Sequence, residues 1–320
     1  MSIEDKRKHC RMSVETNGIF EIHHDSFSRL ISTTATLHRL HTGLTWSEGP
    51  AYFPALRSLI FSDVAENCLY RYDECNGQTS VFRSPSHNSN GNTVDRQGRL
   101  ITCEQQTRRV TRTEHDGTIT VLVDRAENNK RFNSPNDIVV RSDGSVWFTD
   151  PTYGIDSDYE GDKGESEVGA NLVYCLKDGV LHVVARDFEQ PNGLAFSPDE
   201  RRLYIVDTGR THRKDGPGHI RVFNVGEDGV SLTGGEVFAE CFTGLFDGLR
   251  VDSTGNIWTS AGEGVSCYDG NTGVLLGRIR VPEITGNVCF GGGPKLNVLY
   301  ICATTSLYSI RLAVNGNKTF

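Results

Sequence analysis

No stretch of this chain holds 18 uninterrupted apolar residues, so no helix in it is long enough to cross a bilayer. Positive charge is also short: 33 Lys and Arg stand against 41 Asp and Glu, a formal charge of −8. Nucleic-acid binders carry a basic patch or stripe, and no such cluster occurs here. Methionine is nearly absent, at 2 residues, while glycine reaches 34, a balance that speaks against a helical bundle. Residues 1–20 are polar and mixed in charge, without the apolar run of a secretory leader, and read as a flexible lead. No Cys-x-x-Cys pair occurs. The nine cysteines are odd in number, scattered and set among apolar residues, which suits buried thiols in the cytoplasm better than a disulfide framework. There is no Gly-x-Ser-x-Gly elbow, the ten histidines lack metal-ligand spacing, and Gly291-Gly292-Gly293 lacks the Lys that completes a phosphate loop.

What is present is a repeat. Six similar stretches begin at Glu48, Asn90, Asn136, Asn192, Asp247 and Asn287, at intervals of 42, 46, 56, 55 and 40 residues. Each leads through a turn into a second apolar strand. The clearest turns are Asp95-Arg96-Gln97-Gly98, Ser142-Asp143-Gly144, Ser197-Pro198-Asp199-Glu200 and Asp252-Ser253-Thr254-Gly255, whose Asp, Gly and Pro content is hairpin chemistry. Third and fourth strands follow in most units. Four strands per unit at this period predict an all-β fold, a six-bladed β-propeller of four-stranded antiparallel blades spanning 21–313, with a tail over 314–320. The sixth unit runs out of sequence after three strands near Leu312. A strand from the N-terminal side, about Phe27 to Leu40, is expected to complete it and close the ring, which removes exposed sheet edges. Units three and four carry the long insertions, Pro151 to Ala170 and Thr208 to His219.

In a propeller the first strand of each blade lines the central channel. The residues that begin the six repeats therefore converge on the axis, and each offers a side-chain oxygen. One explanation is that Asp and Asn simply favour turns and strand starts. The other is a cation site: oxygen donors without His or Cys suit a hard dication, Ca²⁺ first, with Mg²⁺ or Mn²⁺ next, whereas Zn²⁺ prefers nitrogen or sulfur. A second ring, Asp63, Glu104, Asp150 and Asp207, closes the second strands 14 or 15 residues further on. Those acids either face a ligand at the same mouth or bond to turn amides.

Glu48-Gly49-Pro50, Asn136-Asp137, Pro191-Asn192-Gly193-Leu194 and Asp247-Gly248-Leu249, in that order and at blade spacing, resemble the gluconolactonase and regucalcin (senescence marker protein) family from about Leu44 to Leu312. The resemblance implies a six-bladed propeller with one divalent cation in an axial pocket, held by Glu48, Asn136, Asn192 and Asp247, with Zn²⁺ joining Ca²⁺, Mg²⁺ and Mn²⁺ as a candidate. It implies a lactonase that opens a sugar lactone such as glucono-1,5-lactone to the aldonic acid. On that scheme the cation polarises the carbonyl and Asp247 activates water, with Asn136 and Asn192 orienting both. Asn90, Glu104 and Asp150 are the expected substrate contacts. Pro151 to Ala170 is expected to overhang the mouth as a lid, its acids forming a solvated loop rather than ligands. One departure stands out: Arg131-Phe132-Asn133 is separated from Asn136-Asp137 by Ser134-Pro135, so the substrate-binding Arg of the regucalcin branch has no counterpart that can be placed. The expected partner is a small-molecule lactone, with no nucleic acid or membrane, bound by a monomer or weak homodimer. Two other possibilities remain at this point: a related metal-dependent hydrolase of a non-sugar lactone or phosphotriester, and a non-enzymatic propeller scaffold with a structural metal.

Overall fold

A computed structural model describes residues 14–16, 18–262 and 264–318. Six antiparallel sheets are arranged as a six-bladed β-propeller. The inner strands of blades one to six are Ser47–Phe53, Ser89–Val94, Ile138–Val140, Pro191–Phe196, Leu249–Val251 and Thr285–Gly291. The expected turn residues make the hairpins. Asp95 Oδ1 accepts the Gln97 amide at 2.9 Å, Asp252 Oδ1 accepts the Thr254 amide at 2.9 Å, and the glycines that end these turns, Gly98 and Gly255, sit at φ +78° and +90°.

The apolar core lies between blades rather than at one centre. One cluster joins blades three and four through Trp147, Leu194, Phe196 and Phe223, and another joins blades four and five through Tyr204, Phe246 and Leu249. Trp147 and Trp258 occupy corresponding second-strand positions and are fully buried. Each has its indole N–H satisfied, by Ser145 Oγ and Asp252 Oδ2 respectively, both at 2.9 Å.

Ring closure differs in detail from the expectation. The strand that completes blade six is His38–Thr42, paired with Ser306–Arg311 from Ser306↔Thr42 to Ser309↔His38. Phe27 is not in a strand. It lies in a short 3₁₀ turn, Asp25–Arg29, capped by His24, and its ring is buried 5.9 Å from that of Trp258. Part of the lead is ordered into the sheet: Val14–Thr16 pairs with Phe20–Ile22, which adds to Leu275–Arg280 and gives blade five six strands. Residues 1–13 and 17 of the expected lead lie outside the described residues. At the other end, the tail crosses between blades five and six: the Asn317 amide donates to Val251 O at 3.2 Å and that of Gly316 to Leu296 O at 2.7 Å. Residues 319–320 lie outside the description. No described helix is long and apolar enough to cross a membrane.

Candidate active site

The inner strands break their pairing where the axial residues sit. Register shifts fall at Glu48–Ala51, Ser89–Asn92, Pro191–Leu194 and Thr285–Asn287, and in blades three and five the ladder begins only after Asn136 and Asp247. A bulge turns a side chain out of the alternating pattern and toward the channel. Small residues let the blades approach closely enough for this. The Gly91 amide donates to Asn136 O at 2.7 Å and the Gly193 amide to Asp247 O at 3.1 Å, so neighbouring blades are bonded backbone to backbone at the axis.

Glu48, Asn90, Asn136, Asn192 and Asp247 all line one cavity of about 720 Å³ at the mouth of the channel. The first four are 3–5 % exposed and Asp247 is half-buried. Asn287 has a supporting role: its Nδ2 donates to Glu48 Oε2 at 3.1 Å, and the Gly49 amide donates to the same oxygen at 2.9 Å. Glu48 Oε1 is buried with no hydrogen-bond partner. Burial pushes the Glu48 carboxyl up to about 8. Burial, then the charge of Glu48, holds Asp247 far above the usual carboxylate range, and a side-chain hydrogen bond from Asn192 partly offsets this. Two carboxyl groups that resist sharing one site, one of them with an unpaired oxygen, beside the side-chain oxygens of Asn136 and Asn192, match the donor set of a hard dication.

The structure does not bring Glu104 and Asp150 into this cavity. Glu104 is fully buried, and its oxygens accept from Thr107 Oγ1 at 2.6 Å, Arg109 Nε at 2.7 Å and Thr111 Oγ1 at 3.0 Å. Asp150 accepts two successive amides, from Asn133 at 2.9 Å and Ser134 at 2.8 Å. The same clamp recurs at Asp63 on the amides of Thr45 and Trp46, and at Asp207 on those of Glu189 and Gln190. The turn-amide explanation thus holds for these three acids: each fastens the loop that delivers its own blade's axial residue.

The two insertions supply what the sequence did not single out. Tyr153, Asp156 and Glu160 from the first, and Thr208, Thr211 and His212 from the second, line the cavity wall. Of the acids in Pro151 to Ala170, Asp158, Asp162, Glu165 and Glu167 are exposed as expected of a solvated loop, whereas Asp156 and Glu160 line the cavity. Burial, then the charge of Asp156, raises Glu160 to about 7, and Glu160 in turn acts on both Glu48 and Asp247. The insertions are clasped together: His212 Nε2 lies 2.7 Å from Asp156 Oδ2, and the Tyr153 and Thr211 hydroxyls are 3.2 Å apart. The available signal was positional, since both insertions leave from second-strand ends on the same face. Beneath the site, Asp137 Oδ2 accepts from Leu194 N and Arg250 NH1, each at 3.3 Å.

A pH dependence follows. Glu48 (about 8), Glu160 (about 7) and Asp150, raised by burial to about 7, hold their protons to higher pH in the folded chain than unfolded carboxyls do, which titrate near 4. Between about pH 4 and pH 8 these three groups bind more protons in the folded state, so their contribution to stability falls as pH rises; burial lowers His23, His41 and His219, which offsets part of this below about pH 6.5. The thermal midpoint of chelator-treated protein should drop by roughly 5 °C between pH 5.5 and pH 8. A saturating dication should shrink the drop. A midpoint that is flat or rising over that range contradicts the assignment.

Fold and cavity together define a class: a closed six-bladed propeller whose axial mouth is lined by acids and amides. The SMP-30/Gluconolactonase/LRE-like region matches residues 46–305, and the chain belongs to that family. A gluconolactonase of Zymomonas mobilis is 30 % identical over 312 residues, covering 90 % of this chain and 84 % of its own. A pentonolactonase of Haloferax volcanii is 30 % identical over 277 residues, covering 81 % and 82 %. Among solved structures, a gluconolactonase from Xanthomonas campestris superposes with a TM-score of 0.85 at 36 % identity, over 95 % of this chain and 98 % of that one.

Proposed function

We propose that this chain is a divalent-cation-dependent lactonase, a carboxylic-ester hydrolase that opens a sugar lactone of the glucono-1,5-lactone type to its aldonic acid. The observation that carries this reading is the pairing of Glu48 and Asp247 in one cavity, with Glu48 Oε1 buried and unpartnered. Similarity to a gluconolactonase over 90 % of this chain and to a pentonolactonase over 81 % supports the substrate class. Eight described cysteines are free, six of them buried, in keeping with a cytoplasmic setting.

Glu48, Asp247, Asn136 and Asn192 would hold the cation, Ca²⁺ first by its oxygen-only donors. When bound, it supplies Lewis-acid polarisation of the lactone carbonyl. Asp247, half-buried and open to the cavity, accepts a proton from the attacking water and returns it to the ring oxygen as the ester bond breaks. Asn192 keeps the Asp247 carboxylate oriented through their hydrogen bond. Asn287 and the Gly49 amide fix the second oxygen of Glu48 and leave the first for the ion. Asn90, which lines the cavity, would bond the ring hydroxyls.

The test is a lactone panel in a pH-stat after exhaustive chelation, with Ca²⁺, Mg²⁺, Mn²⁺ and Zn²⁺ returned one at a time. Hydrolysis should vanish and be restored by at least one ion; full activity without any ion refutes the metal dependence. Glu48→Gln removes one of two ligand charges and should weaken cation affinity about tenfold or more by calorimetry, with the fold retained. An unchanged affinity removes Glu48 from the ligand set.

A further inference from the structure

The cavity is large for a lactone ring, so size alone does not decide which substituents enter. Charge does. Four carboxylates line it, Glu48, Asp156, Glu160 and Asp247, and among the described residues no Lys or Arg does. The lining His212 is already bonded to Asp156, so it cancels at most one of these charges. Arg250 does not line the cavity and is paired with Asp137. The unpartnered Glu48 Oε1 marks the axial floor as the polar end of the ligand site. Glu48 and Asp247 would be balanced by a dication held there. The insertion acids Asp156 and Glu160 remain on the cavity wall, toward which the exocyclic end of a lactone with its carbonyl at the axis would extend. Carboxylates accept hydrogen bonds from neutral hydroxyls and repel phosphate, sulfonate or a second carboxylate.

We propose that Asp156 and Glu160 make this a selector for uncharged polyhydroxy lactones, rejecting lactones that carry a fixed negative charge on the exocyclic carbon. This rests on the lactonase reading above. The experiment compares kcat/KM for glucono-1,5-lactone with its 6-phosphate and 6-sulfonate counterparts on the cation-loaded enzyme at about pH 8, above the value of about 7 to which burial raises Glu160, spontaneous hydrolysis subtracted. The neutral lactone should be favoured on the order of tenfold to a hundredfold. The preference should narrow as ionic strength rises from about 0.02 M to about 0.5 M, because the insertion acids are partly exposed and screened by salt. Asp156→Asn and Glu160→Gln should each raise the charged-to-neutral ratio several-fold. Equal turnover of charged and neutral lactones, or a ratio unmoved by both substitutions, overturns the selector and leaves the lactonase reading standing. Hydrolysis of none of the three overturns both. If neither variant folds, the salt series on the natural chain decides, and a ratio independent of salt refutes the proposal.

Discussion

Asp247→Asn should lower kcat by about a thousandfold or more while leaving the propeller folded. Removing a positioned general base alone costs roughly 10²–10⁴ in rate. Here the same change also removes one of two charges available to the cation. Asn matches Asp in shape, so the Ser260 Oγ contact to the residue 247 amide, at 3.0 Å, and the Gly193 bond to its carbonyl are undisturbed. The substitution also relieves repulsion between Asp247 and Glu48, so the metal-free variant should melt no lower than the natural chain. The measurement is kcat at saturating lactone and cation, which separates lost chemistry from lost affinity, together with a thermal melt. A kcat within about tenfold of the natural value would remove Asp247 from the role of base.

Gly49→Ala should be the most destabilising small substitution in the channel. A Cβ at this position would lie 1.9 Å from Asn90 O and 2.9 Å from the Gly91 Cα, and Gly49 is at φ +52°. The obstructing atoms are the backbone of the next blade, which cannot rotate aside as a side chain could. The expected loss is about 3–5 kcal/mol, the range of severe overpacking combined with backbone strain. Gly77 provides the comparison. It sits at φ +72° in a turn with nothing near its would-be Cβ, so Gly77→Ala should cost only about 1–2 kcal/mol. Denaturant midpoints of the two variants give the answer, and equal losses would show that the contact between blades one and two yields freely.

The difference between these two glycines is invisible in sequence, where Gly49 follows Glu48 and Gly77 follows Asn76 with nothing local to show what a Cβ would meet. Much else was legible because it is local. Asp-x-x-Gly turns carry their own hydrogen bonds, so hairpins such as Asp95–Gly98 declare themselves within a few residues. Four clear turns, joined to six repeat starts at blade spacing, define the propeller, and the propeller places whatever begins each inner strand on the axis. Glu48, Asn90, Asn136, Asn192 and Asp247 were found in this way. The closing strand was assigned to the correct side of the chain but about ten residues early, because the apolar Phe27 reads equally well as a strand residue or as the anchor of a 3₁₀ turn. Packing against Trp258, more than 200 residues away, selects the turn.

Composition and turn chemistry by themselves determined the all-β class, the six-fold repeat and the set of axial oxygen donors, since each depends on residues close together in the chain. Tertiary structure alone decided the fate of the remaining acids. Asp63, Asp150 and Asp207 turned to the amides of their own incoming loops, because those unpaired N–H groups are the nearest strong donors once the blade is formed. Asp156 and Glu160 came to face the site only because two insertions 56 residues apart dock through Asp156 and His212, a contact that no local pattern encodes.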